Sequence, residues 1–95
     1  MLGNFPNPFN PTTTISYNLP RTSDVELRIY DVLGNEVKSF FISSQSVGTQ
    51  KIVWNGTNNY NEQVSSGIYI YRFKAVSREG KNEMFVKSAK LILMK

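Results

Sequence analysis

The alternation of apolar and polar residues constrains the fold of this chain more than any other feature. Val25, Leu27 and Ile29 alternate with Glu26 and Arg28, which is the pattern of a strand with one buried face. Segment 15–19 has the same period of two, and segment 68–76 places three aromatic side chains on one face. No segment holds the period near 3.6 that an amphipathic helix requires over a useful length. The sequence therefore predicts an all-β fold.

Turn residues separate the alternating segments. The sequence Leu33-Gly34-Asn35 predicts a tight hairpin, because glycine adopts a positive φ without strain. Further turns are predicted at 45–48 and 78–81, and residues 55–66, with four asparagines, predict a long surface loop. About seven short strands divided in this way predict an antiparallel β-sandwich, and we expect residues 12–95 to form it as a single domain.

The first eleven residues differ from the rest of the chain in composition. They contain three of the four prolines, and each proline pushes the preceding residue toward extended backbone. Phe5 and Phe9 share the odd-numbered parity of Ile15, so an extended chain can direct their rings toward the edge of the core. We therefore expect residues 1–11 to form an extended lead-in, rich in proline and asparagine, that packs on the domain.

The composition excludes several kinds of chemistry. The chain has no Cys and no His, so it lacks thiol nucleophiles, imidazole bases, disulfides and the usual zinc ligands. Its net charge of +4 is spread along the sequence and does not form the basic stripe typical of nucleic-acid-binding proteins. No apolar run approaches the roughly 20 residues that span a bilayer. We expect no metal, no cofactor, no nucleic acid and no membrane insertion.

Candidate catalytic residues are few. The seven carboxylates lie mostly in turns or on the polar face of strands, without the facing pair that glycoside hydrolysis needs. Asp31 ends the buried parity of the second strand, and we expect it to cap the turn amides near Gly34. Trp54, Tyr69 and Tyr71 would form a sugar-stacking platform if they were exposed, although aromatic residues at strand positions are usually part of the core. The chain is therefore not expected to be an enzyme.

Several motifs, in order along the chain, resemble those of one family, the C-terminal sorting domains of the type IX secretion system, also called the Por system, of Bacteroidetes and relatives. The resemblance covers nearly the whole chain. Its segments are the lead-in Asn4–Ile15 (NFPNPFNPTTTI), the strand and hairpin Val25–Val37 (VELRIYDVLGNEV), Trp54–Gly56 (WNG), Val64–Tyr69 (VSSGIY) and the ending Lys90–Lys95 (KLILMK). The immunoglobulin-like domain of flagellar hook-capping proteins shares the hairpin and the Gly-Tyr strand.

The resemblance implies an immunoglobulin-like β-sandwich that acts as a signal and not as a catalyst. In that family the domain follows a larger N-terminal cargo, which enters the periplasm by Sec export. An outer-membrane translocon then recognises the domain, and a sortase-like peptidase commonly removes it. Such a protein reaches the cell surface or the extracellular space, and we expect the domain itself to be a monomer. The N-terminus of this chain lacks the pattern of a Sec signal, so we expect the chain to be part of a larger exported protein.

The resemblance also assigns residues. A folded module with a free edge strand can be captured by strand addition, and its terminal side chains can give specificity. The expected recognition residues are Lys90, Leu91, Ile92, Leu93, Met94 and Lys95. The expected motif residues of mainly structural role are Asn7, Pro8, Phe9, Asn10, Pro11, Tyr30, Asp31, Gly34, Trp54, Gly56, Gly67 and Tyr69.

Two other functions remain open at this point. One is an accessory carbohydrate-binding sandwich of a secreted enzyme, which requires exposure of Trp54, Tyr69 and Tyr71. The other is a structural module that acts as a spacer or as a self-assembly unit. The sequence does not identify the cargo, the translocon component or a cleavage point.

Overall fold

The computed structural model describes residues 12–78 and 84–94, which form six β-strands and no helix. The strands follow segments rich in apolar residues, and β1 to β4 each end at a turn that contains glycine, asparagine, proline or serine. Their bounds are β1 Thr13–Leu19, β2 Ser23–Tyr30, β3 Glu36–Gln45, β4 Gly48–Trp54, β5 Gly67–Ser77 and β6 Met84–Leu93.

The strands form two antiparallel sheets that pack face to face. One sheet pairs β1 with β4, with Ile15 opposite Ile52. The other has four strands in the order β3-β2-β5-β6. Strand β2 lies at the centre, and its Val25, Leu27 and Ile29 are fully buried between the sheets. The apolar face of each sheet leaves water by packing on the other, as in a β-sandwich.

The core contains apolar side chains from five of the six strands. Two of its rings, Trp54 from β4 and Tyr69 from β5, meet edge to face with centroids 5.3 Å apart, an arrangement that aromatic pairs favour. The buried set is Ile15, Leu19, Val25, Leu27, Ile29, Ile52, Trp54, Tyr69, Phe73, Ala75, Leu91 and Leu93.

The predicted all-β antiparallel sandwich is confirmed, with six strands in the described residues against about seven predicted. The predicted hairpin at 33–35 and the long loop at 55–66 are also present. The lead-in of residues 1–11, with Asn7, Pro8, Phe9, Asn10 and Pro11, lies outside the described residues, as does Lys95. In the part of the chain that is described, no helix could cross a membrane.

Candidate functional site

Residues 90–93 of the predicted recognition segment form the end of β6, at one edge of the four-stranded sheet, and Met94 follows the strand. Strand β6 pairs with β5, so that Ile92 lies opposite Ile68, Leu91 opposite Tyr69 and Lys90 opposite Ile70. Within residues 12–78 and 84–94 no strand pairs with the other side of β6. Its outward N–H and C=O groups therefore form the kind of edge that can accept a further strand.

The pleat of β6 divides the predicted recognition residues into two sets. Leu91 and Leu93 point inward and belong to the core, with Leu93 only 1% exposed. Lys90, Ile92 and Met94 are exposed on the opposite side of the chain. A partner can contact these three side chains on the folded domain, whereas contact with the two leucines would require opening of the core. The recognition role of all six residues stays a prediction.

A small apolar patch surrounds the outward residues. It consists of Ile68, Ile70, Ile92 and Met94, all exposed. The cross-strand pair Ile68–Ile92 lies at its centre, and residues that face each other on one side of a sheet are close enough to pack. Lys90, opposite Ile70, adds one positive charge to this patch. The patch can therefore bind an apolar segment that carries an acidic residue.

Charged residues of the same outer face lie farther along the sheet. Arg28 binds Glu26, and its Nη1 atom is 2.6 Å from the Oε1 atom of Glu36. These two carboxylates raise the pKa of the Arg28 guanidinium, with the hydrogen bond from Arg28 to Glu26 as the largest cause. Arg72 lies directly opposite Arg28 across the β2–β5 pair, so the two glutamates also offset a like-charge contact. The two arginines and the two glutamates therefore balance in formal charge.

The opposite edge of the four-stranded sheet is blocked. Asn59, from the loop after β4, donates its backbone N–H to the Val37 carbonyl at 3.0 Å and accepts the Ser39 N–H on its side-chain oxygen at 3.1 Å. Farther along β3, Ser44 has a positive φ of 53° and donates its N–H to Asp24 at 3.0 Å. An added strand would have to displace the two bonds of Asn59, whereas the Ser44–Asp24 bond joins β3 to its inner neighbour β2. Of the two edges, β6 is therefore the more accessible one.

Residues of the hairpin motif form hydrogen bonds within the turn between β2 and β3. The Asp31 Oδ1 atom accepts the N–H groups of Leu33 and Asn35, both at 2.9 Å. These bonds, with that of Asn35 first, hold the pKa of the Asp31 carboxyl below its ordinary value. Gly34 has a φ of +90°, which a residue with a Cβ rarely adopts. Asp31 and Gly34 thus fix the turn between β2 and β3, while Tyr30 ends β2 half-buried, opposite Ile70.

The other motif residues stabilise the loop after β4. The Trp54 Nε1 atom donates to the Thr57 carbonyl at 2.8 Å, and the Tyr69 hydroxyl donates to the Ser65 carbonyl at 2.6 Å. Gly56, with a φ of +77°, accepts the Val64 N–H at 3.0 Å. Burial is the main cause that raises the pKa of the Tyr69 hydroxyl. Gly67, the remaining motif residue, begins β5.

The aromatic residues proposed for sugar binding do not form an exposed platform. Trp54 and Tyr69 are buried, and Tyr71 is half-buried against the core. No group of three His, Cys, Asp or Glu side chains in residues 12–78 and 84–94 is placed to hold a metal ion.

Sequence reasoning missed Ile68 and Ile70 as part of the candidate site. The signal was present, because the run Ile68–Tyr71 is apolar on both parities, which is typical of a strand covered on both faces. It missed Asn59 for another reason: the partners of Asn59 lie about 20 residues earlier in the chain, and nothing local in the sequence indicates them.

Comparison with known proteins identifies the family. The family model of the FlgD Ig-like domain matches residues 9–81. This chain belongs to that family. FlgD from P. aeruginosa has a TM-score of 0.67 at 22% identity, and FlgD from Xanthomonas campestris, described with hook capping in flagellar assembly, has 0.65 at 19%. These alignments cover 85% and 88% of this chain but 61% and 55% of the FlgD chains. They show the immunoglobulin-like fold.

A third solved structure also resembles this FlgD Ig-like domain. Dimeric latent PorU from Porphyromonas gingivalis matches with a TM-score of 0.66 and 27% identity over 96% of this chain, which corresponds to 9% of the PorU chain. The chain thus spans a small part of PorU and less than two thirds of either FlgD. No curated protein sequence matches the chain.

Strand β6 lies outside the family match. The family match ends at residue 81, and β6 begins at Met84, so the β6 residues of the candidate site lie beyond the matched FlgD Ig-like segment, while Ile68 and Ile70 lie within it. The PorU alignment, at 96% of 95 residues, leaves out about four. Since β6 has 10 residues, that alignment includes at least about six of them. By the same count it includes most of the lead-in 1–11.

Proposed function

We propose that this chain is a non-catalytic sorting domain that directs a larger exported protein through the type IX translocon to the cell surface. One observation carries the proposal. The lead-in motif and the terminal strand extend beyond the FlgD Ig-like match at residues 9–81, and the alignment with PorU, which bears the name of the Por system, includes most of both. The cargo would precede the domain, and a sortase-like peptidase would remove the domain after export.

The proposed recognition surface is the outer side of β6. Lys90, Ile92 and Met94 are exposed, and the edge of β6 that no other described strand pairs with offers backbone hydrogen bonds to a strand of the translocon. Backbone pairing supplies affinity, and the three side chains supply specificity. No group on this surface needs to react, so the role fits a chain without Cys and His.

The test is an export assay with a matched pair of substitutions. Residues 1–95 are fused behind a Sec signal and a reporter in a bacterium with type IX secretion, and the reporter is measured in periplasm and medium. Ile92→Ser should reduce export at least about tenfold, because it removes the centre of the apolar patch. Val53→Ser is the control, since Val53 is 50% exposed on β4 and Ile92 is 57% exposed on β6.

The outcomes separate the possibilities. Export of the unmodified fusion, with loss in Ile92→Ser alone, supports the proposal. Periplasmic retention of the unmodified fusion, equal to that of a reporter without the domain, would refute it. Normal export of Ile92→Ser would leave the sorting role intact and remove the site assignment.

Membership of the FlgD Ig-like domain family favours one second candidate, a structural module of a flagellar hook-type assembly. In that case the domain should bind flagellar hook subunits in a pull-down, and its deletion from the native protein should reduce motility. Secretion of the reporter fusion would then be independent of the domain.

A further inference from the structure

An open apolar groove of about 450 Å³ lies between β1 and the first half of β6. It exists because the two-stranded sheet faces a sheet of four strands, so the described strands do not fully cover the inner side of β5 and β6. Tyr17 and Leu19 line the groove from β1, Phe73 from β5, and Phe85 and Lys87 from β6. Sites for small molecules usually have volumes of about 300–1,000 Å³ and mainly apolar walls. The size and the lining of this groove therefore fit a small ligand.

Aromatic rings provide the apolar surface of the groove. The ring centroids of Tyr17 and Phe73 are 4.6 Å apart, and those of Phe73 and Phe85 are 6.2 Å apart. Phe73 is buried, whereas Phe85, on the inner side of β6 opposite Ala75, is 58% exposed. A ligand that covers this ring removes apolar surface from water, which favours the binding of an apolar group.

Positive charge borders these rings. Lys87 lies opposite Phe73 in the β5–β6 pair, two residues from Phe85, and therefore faces the same inner side of β6. Its side chain is exposed, and it takes part in none of the ion pairs among the described residues. Arg21, between β1 and β2, is a second cationic residue of the lining. None of the described lining residues is acidic, so the charge of the groove is complementary to an anion.

We propose that the groove binds a small amphipathic anion, a molecule with an apolar chain or ring and one carboxylate. The apolar part packs on Phe73 and Phe85, and the carboxylate accepts a hydrogen bond from the Lys87 ammonium. A hydrogen bond between two charged groups is stronger than one between neutral groups, so the carboxylate is favoured over a neutral ligand of the same shape. A cationic ligand is disfavoured because Lys87 and Arg21 repel it.

The groove is separate from the proposed recognition surface. Phe85 and Lys87 face the inner side of the first half of β6, whereas Lys90 and Ile92 are exposed on the outer side of its second half. A ligand in the groove therefore leaves the proposed recognition surface accessible. This inference does not depend on the export role.

Titration of the full chain with sodium octanoate, followed through the backbone amide signals by NMR spectroscopy, tests the proposal. The amide signals of Ser16 and Phe85, which both line the groove, should shift and saturate. The amide signal of Ser39, on the opposite edge strand β3, should stay in place. Absence of a saturable shift at the groove, or shifts of equal size at Ser39, would overturn the proposal.

A ligand of opposite charge and a matched pair of substitutions test the role of Lys87. Octyltrimethylammonium, which has the same alkyl chain, should bind at least about fivefold more weakly than octanoate, because it meets repulsion in place of an ion pair. Lys87→Gln should weaken octanoate binding about two- to fivefold, as expected for the loss of an exposed ion pair. Lys51→Gln, on the outer side of β4, is the control, since Lys51 is exposed and carries the same charge. Phe85→Ala should weaken the binding of both ligands, because both use its ring.

The outcomes also separate ligand binding from another role of Lys87. A charged side chain that points inward on an edge strand can hinder pairing with a second chain. Weakened octanoate binding in a Lys87→Gln variant that sediments as a monomer supports the proposal. Unchanged octanoate affinity in Lys87→Gln, with or without dimers, would overturn it, as would equal affinity of the wild type for the two ligands. Unshifted amide signals of Val25 and Leu27, both fully buried, show that each variant is still folded.

Discussion

The Asp31 side chain holds the turn between β2 and β3 and makes the stability of the domain depend on pH. Its carboxylate accepts the Leu33 and Asn35 N–H groups at 2.9 Å, and these bonds lower its pKa below the ordinary value of 3.8. A folded-state pKa below the unfolded one stabilises the protein above the unfolded pKa, and this stabilisation is lost as the pH falls through the folded pKa. Asp31→Ala should therefore reduce the free energy of unfolding at neutral pH, and the reduction should shrink below about pH 3.8. Urea denaturation across this range measures it, and a reduction independent of pH would contradict the assignment.

The turn at Asp31 was predictable because all of its partners lie within four residues. The position of Asp31 at the end of an alternating strand, three residues before Gly34, was enough to predict that its side chain caps the turn amides. Asn59 was not predictable in this way. It bonds to Val37 and Ser39 of β3, and only the completed sandwich brings these residues together.

In strand β6, alternate residues have different roles: the inward side chains pack in the core, and the outward side chains form the proposed recognition surface. Leu93 is buried and Ile92, its neighbour, is exposed. Leu93→Ala should lower the free energy of unfolding by about 2–4 kcal/mol, since it leaves a cavity in the core. Ile92→Ala should lower it by less than about 1 kcal/mol, since it changes only surface. Urea denaturation of both variants checks this, and equal losses would show that Ile92 also has a structural role.

The alternation of apolar and polar residues predicted the strands well, because every second side chain of a strand faces the core. It did not predict the sheet order β3-β2-β5-β6, which depends on pairing between distant strands. That order is what turns β6 into an edge and gives Lys90, Ile92 and Met94 an accessible side. The candidate site was thus predicted as a sequence segment, while its exposed half emerged only from the fold.

At the scale of the whole molecule, the exposed strand edges bear on the expectation that the domain is a monomer. Edge strands tend to pair with other chains, and proteins usually block them. On β3 the block is Asn59, next to a strand whose Phe41 is 78% exposed. Asn59→Ala would remove one side-chain bond to β3 and weaken the loop contact, so the edge of β3 should become available to a second copy.

We therefore expect the wild-type domain to sediment as a monomer and Asn59→Ala to show a dimer fraction that increases with concentration. Sedimentation velocity over a range of concentrations measures the difference. Tyr60→Ala is the matched control, because Tyr60 is the next residue of the same loop and its side chain is exposed. Monomeric Asn59→Ala at every concentration would mean that the Ser44 irregularity, held by Asp24, protects β3 without the loop. If the wild-type domain forms dimers, in contrast, the accessible edge of β6 would be the expected contact between the two copies. Such dimers would block the edge from binding a partner strand, contrary to its proposed role.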